Sequence, residues 1–147
     1  SLVLMLILLG CVVAIYLGLN IGKSEATKAQ RCFAHLPFSV YLGWITVATI
    51  ANVTALLVDE GWNAWELSEQ FWAVAVIIVG IAIALVILFR RKDVYYSLVV
   101  DWALLGILLK RLSHTTAPDR SVVVVTIVGH VLITGGVIAQ LIRKSVY

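Results

Sequence analysis

The sequence predicts an all-α, polytopic membrane bundle of about five transmembrane helices, and three observations carry that prediction. The 147-residue chain is 62% hydrophobic and 13% charged, with a mean hydropathy of +1.04, too apolar for a soluble domain of this size. Its apolar residues fall into five segments, Leu2–Ile21, Pro37–Val58, Phe71–Phe89, Val94–Leu109 and Val122–Ile142. Most approach the roughly 20 residues a helix needs to cross about 30 Å of hydrocarbon. Runs such as Ala73–Leu88 are continuous rather than alternating, which excludes a transmembrane barrel. A helix satisfies its own backbone in lipid, and the remaining length is short loops, so residues 1–147 read as a single membrane domain.

Leu2–Ile21 is almost wholly aliphatic. It follows Ser1 directly with no basic region before it, unlike an intact signal peptide, and the chain reads as a fragment or processed form. Cys11 lies inside this segment and Cys32 near a membrane boundary, a placement that makes neither a disulfide framework nor a metal-site spacing.

Pro37 suits a first helical turn, where its missing N–H costs nothing. From there Trp44, Ala48 and Asn52 recur every four residues, so an aromatic, a small residue and an amide share one helical stripe. Thr46, Thr49, Asn52 and Thr54 make this segment polar. Such residues bond across helices or back to the preceding turn. Asn52-Val53-Thr54 matches a glycosylation sequon but is expected inside a membrane helix, out of reach of the modifying machinery.

The loop from Asp59 to Glu69 carries Asp59, Glu60, Glu66 and Glu69 among Trp62 and Trp65, with Trp72 just beyond. This is the composition of an interfacial aromatic belt, and a lid over a pocket is the less favoured reading. Phe71–Phe89 ends at Arg90-Arg91-Lys92, whose three charges fall short of the four to eight of a specific headgroup cluster and read as a topology determinant. Gly18 with Gly22, Gly80 with Ala84, and Gly135-Gly136 offer small surfaces for close helix approach, within the chain or between copies.

Lysines and arginines divide eight against three across the predicted membrane: Lys23, Lys28, Arg31, Arg90, Arg91, Lys92, Arg143 and Lys144 against Lys110, Arg111 and Arg120. The positive-inside rule puts Tyr147 on the cytoplasmic-equivalent side and Ser1 opposite. Sidedness accounts for the net charge of +3, and no basic face interleaved with aromatics suggests nucleic acid.

Two ionisable residues fall inside apolar segments. Asp101 needs a partner, water or a ligand there, because an ionised carboxylate costs at least a few kcal/mol in the bilayer. A proton relay or ligand contact and a plain interhelical hydrogen bond weigh equally for it, and Trp102 is expected on another face. His130 is able to ligate a metal or haem iron, but a lone histidine more often makes an interhelical hydrogen bond. Brought together, the two would form a pair able to pass protons. No phosphate loop, catalytic triad order, HExxH or CxxC occurs, so the chain is expected not to be an enzyme, with no catalytic residues and no metal site.

The run Pro37, Trp44, Ala48, Asn52 resembles the TspO/MBR family of translocator proteins and tryptophan-rich sensory proteins, whose last helix carries a proline followed by a W-x-x-x-A-x-x-x-N stripe. The likeness continues through Gly61-Trp62-Asn63-Ala64-Trp65, Trp72, Arg90-Arg91-Lys92-Asp93-Val94 and Trp102-Ala103, over roughly residues 36–111, and suits a longer branch of the family. The resemblance implies five membrane helices around a pocket for tetrapyrroles or sterols, with Trp44 and Ala48 on its wall and Asn52 orienting a polar group. It implies no cofactor beyond a tetrapyrrole held as ligand. Three apolar segments follow the motif where compact relatives end, so the resemblance implies the C-terminal part of a longer TspO-like protein, with half the expected pocket not visible.

The leading expectation is therefore a TspO-like membrane protein that binds a hydrophobic small molecule for sensing or transport. An accessory subunit of a larger respiratory or photosynthetic complex, or a homo-oligomer packed through the small-residue faces, is the alternative. Proton-coupled transport through Asp101 and His130 ranks below both.

Overall fold

The computed structural model describes residues 1–23, 25–60, 68–114 and 120–143. Trp62, Trp65, Glu66, Lys144 and Tyr147, together with Gly61, Asn63 and Ala64, lie outside the described residues. The helices are α1 (Leu2–Gly18), the single turn α2 (Lys28–Gln30), a π-helical segment (Arg31–His35), α3 (Leu36–Asp59), α4 (Glu69–Arg91), α5 (Val94–His114) and α6 (Arg120–Ile142). Among the described residues there is no strand, and the five long helices coincide with the five predicted segments to within a few residues at each end.

Polar residues set the ends. Thr27 and Gln30 form a reciprocal capping box at α2, and the Ser68 hydroxyl accepts the Phe71 N–H at the start of α4. Lys92, in the left-handed region at φ 56°, stops α4, and Asp93 immediately caps α5 by accepting the Tyr96 N–H at 3.1 Å. Three helical stretches, Lys28–Leu57, Glu69–Arg91 and Arg120–Ile142, are long and apolar enough to cross a membrane, and α1 is a shorter apolar helix. α5 matches them in length with 21 residues and is less apolar because it carries Asp101, Lys110 and Arg111.

α1 packs on α3, which also contacts α4 and α5, while α6 closes against α4 and α5. The buried core joins Ile81, Ala84 and Leu88 of α4 with Tyr96, Val100 and Leu104 of α5 and Ile133 and Val137 of α6. Outward positions remain large and apolar, including Val3, Leu4, Ile7, Val86, Val131 and Ile142, as a lipid-facing surface requires.

Close approach rests on glycines that the sequence identifies only in part. A Cβ at Gly136 would come within 2.7 Å of the Leu88 side chain, and one at Gly129, a position not anticipated, would run into Ile81. Gly135 and Gly18 face open space instead.

The Gly22 turn follows α1. At φ 85° it lies where other residues are strained, and a Cβ there would collide with the Arg91 carbonyl. Arg91 also donates to the Ile21 carbonyl at 3.1 Å and stacks its guanidinium 5.6 Å from the Tyr16 ring centre. Beside it the Tyr16 hydroxyl donates to Asp93 at 2.7 Å, with Asp93 only 1% exposed. The turn after α1 and the α4–α5 turn are thus locked together at one end of the bundle.

Candidate functional site

A cavity of about 750 Å³ lies between α3, α4 and α5, with Val122 of α6 also on its wall. Small side chains create the room: Ala51 and Ala55 on α3, Ala73 and Gly80 on α4, Ala103 on α5. Val47, Ile50, Ile77, Val100, Leu104 and Ile107 make the rest of the wall mostly aliphatic. Asp59, Lys110 and Arg111 supply charge toward the ends of α3 and α5 remote from the Arg91–Asp93 lock. An apolar chamber of this size with a few convergent polar groups is the usual form of a small-molecule site.

The predicted stripe on α3 sits beside this chamber rather than among its lining residues. Trp44 is 46% exposed, Ala48 is half-buried and Asn52 is exposed. Cavity-lining Val47, Ala51 and Ala55 occupy the neighbouring stripe of the same helix. The polar side chains of α3 turn back on their own helix. Thr46, Thr49 and Thr54 donate to the carbonyls of Leu42, Ile45 and Ile50, and the Asn52 amide donates to the Ala48 carbonyl at 2.8 Å. Of the two bonding modes open to these residues, the local one predominates, and Thr46 also bonds across to Tyr96 of α5.

Asp101 and His130 do come together. His130 Nδ1 lies 2.7 Å from Asp101 Oδ1, and among the described residues neither atom has another partner. The Thr134 hydroxyl donates to the other carboxylate oxygen at 3.0 Å. α6 presents His130 and Thr134 at positions i and i+4, one turn apart on the face toward α5. The carboxylate is buried while the His130 side chain is 38% exposed, so the far side of the imidazole opens outward. Trp102 points elsewhere, 65% exposed. Among the described residues no group of three His, Cys, Asp or Glu side chains converges to hold a metal.

Sequence reasoning missed the opposite wall of the chamber and the Tyr16–Asp93 lock. The wall is supplied by α4 and α5, both downstream of the motif helix. The lock has a signal in retrospect: Tyr16 is the one hydroxyl-bearing aromatic in an otherwise aliphatic α1, and such a group needs a polar partner when buried.

A family model described as TSPO-like protein matches residues 1–139, a wider span than the motif residues cover. No curated protein and no solved structure gives a match. A helical membrane bundle, a W-x-x-x-A-x-x-x-N helix at its centre and a match along nearly the entire length lead to one conclusion: this chain belongs to the TSPO-like protein family.

Proposed function

We propose that this protein binds a hydrophobic small molecule of the tetrapyrrole or sterol class in the chamber between α3, α4 and α5, for sensing or transport rather than turnover. The observation that carries this reading is the chamber itself, about 750 Å³, walled by aliphatic and small residues and charged toward one end. In this reading the apolar walls hold the ring system, and Lys110 and Arg111 orient an acidic substituent. Trp44, Ala48 and Asn52 form the adjoining surface of α3, where a flat ring reaches the indole face before entering.

Titration of the purified protein with protoporphyrin tests the proposal, compared with Ala103→Leu, which narrows the chamber at its α5 wall, and Trp44→Ala. Loss of binding in Ala103→Leu is expected. Unchanged affinity in Trp44→Ala would remove Trp44 from the site, and no binding by the unmodified protein would overturn the ligand reading.

The Asp101–His130 contact favours proton-coupled transport as a second reading, since an ionisable pair within apolar helices is able to hold a proton there. Its test is proton flux into liposomes: Asp101→Asn should abolish a ligand-dependent flux.

A further inference from the structure

A second, smaller cavity of about 290 Å³ lies at the start of the motif helix, where the π-helical segment meets α5. Lys28, Arg31, Cys32, His35 and Ser39 line it at successive turns, and Tyr95 of α5 closes it. His35 and Ser39 are buried and form the floor, whereas Lys28 and Arg31 are exposed and form a cationic rim. Among the described residues, no acidic side chain lines it. Asp93, the buried carboxylate at this end of the bundle, is engaged by the Tyr16 hydroxyl and the Tyr96 N–H.

Depth identifies the occupant. The continuous helix Lys28–Leu57 has 30 residues. At 1.5 Å per residue it is about 45 Å long, against roughly 30 Å of hydrocarbon. Its apolar stretch begins only at Pro37, so the turns bearing Lys28, Arg31 and His35 stand at headgroup level. The volume corresponds to roughly ten water molecules at about 30 Å³ each, room for a phosphate ester and its first carbons but not for an acyl chain.

We propose that this cavity binds the phosphate of an anionic lipid headgroup. Lys28 and Arg31 pair with the phosphate oxygens, Ser39 and Tyr95 offer hydroxyl donors, and the acyl chains lie outside along α3 and α5. This differs from the loose attraction of the Arg90-Arg91-Lys92 turn, because here two cations edge a recess with a buried polar floor.

Cys32 lines the cavity and is exposed, so it reports occupancy. In Cys11→Ser it is the sole thiol of the chain. Its maleimide labelling rate is measured for the purified full chain in phosphatidylcholine nanodiscs, with and without phosphatidic acid, and in phosphatidylcholine nanodiscs with added glycerol phosphate. Phosphatidic acid is expected to slow labelling, and each of Lys28→Gln and Arg31→Gln to raise the lipid concentration needed by about fivefold. Arg31→Lys should retain most of the protection. Equal rates with and without phosphatidic acid would overturn the proposal. Protection as sensitive to Arg90→Gln as to Arg31→Gln would also overturn it, reducing the effect to general surface charge. Equal protection by glycerol phosphate would keep a phosphate site but overturn the lipid as its source.

Discussion

Asp101 of α5 and His130 of α6 meet at 2.7 Å within the apolar length of both helices, with Thr134 bonding the remaining carboxylate oxygen. Removing His130 or Thr134 leaves a buried carboxylate oxygen of Asp101 without that partner. His130→Ala is expected to lower stability by about 1–2 kcal/mol and Thr134→Val by about 0.6 kcal/mol, in the range of interhelical hydrogen bonds in membranes. The double variant should cost less than the sum if the three groups act as a unit. Reversible unfolding in mixed micelles gives all three values.

The Tyr16–Asp93 bond supports a second prediction. Tyr16→Phe keeps the ring beneath the Arg91 guanidinium but leaves Asp93 short of its side-chain donor. A loss of about 1–3 kcal/mol is expected, as for a buried acceptor deprived of its partner. Were the thermal midpoint unchanged, the hydroxyl would have no part in holding α1 to the bundle.

Glycines separate by what surrounds them. Gly22→Ala combines a left-handed backbone with a collision against the Arg91 carbonyl, and a loss of more than about 1 kcal/mol is expected. Gly10→Ala sits mid-helix with open space around it, and a gain of up to about 1 kcal/mol is expected from helix propensity. Opposite shifts of the two midpoints in one buffer check both.

Charge near the remote end of the chamber should discriminate among ligands. Lys110→Gln is expected to weaken binding of a porphyrin dicarboxylate by about fivefold, the scale of one partly exposed ion pair of about 1 kcal/mol, and to leave a neutral sterol unaffected. Parallel titrations with the two ligands decide it, and equal weakening of both would deny Lys110 an orienting role.

Much of the fold is legible in the sequence because lipid demands long apolar helices, and the five segments announce them. The Asp101–His130 contact is legible as a condition: each residue needs a partner, and the chain offers few. The chamber is not. In lipid, a side chain facing a cavity and one facing acyl chains have the same composition, so Ala51, Ala73 and Ala103 carry no periodic mark, and Gly80 reads only as a helix-packing position. The motif stripe drew attention to Trp44, Ala48 and Asn52 because aromatic and amide residues are conspicuous there, whereas the cavity wall on α3 is built from inconspicuous neighbours.

The lock among Gly22, Arg91 and Asp93 gives the bundle a direction. Helices pinned at one end widen most easily at the other, where Asp59, Lys110 and Arg111 stand. On the proposed ligand reading, a guest would come and go at that end, and the molecule would behave less as a channel than as a purse whose hinge and clasp lie at opposite ends of the bundle.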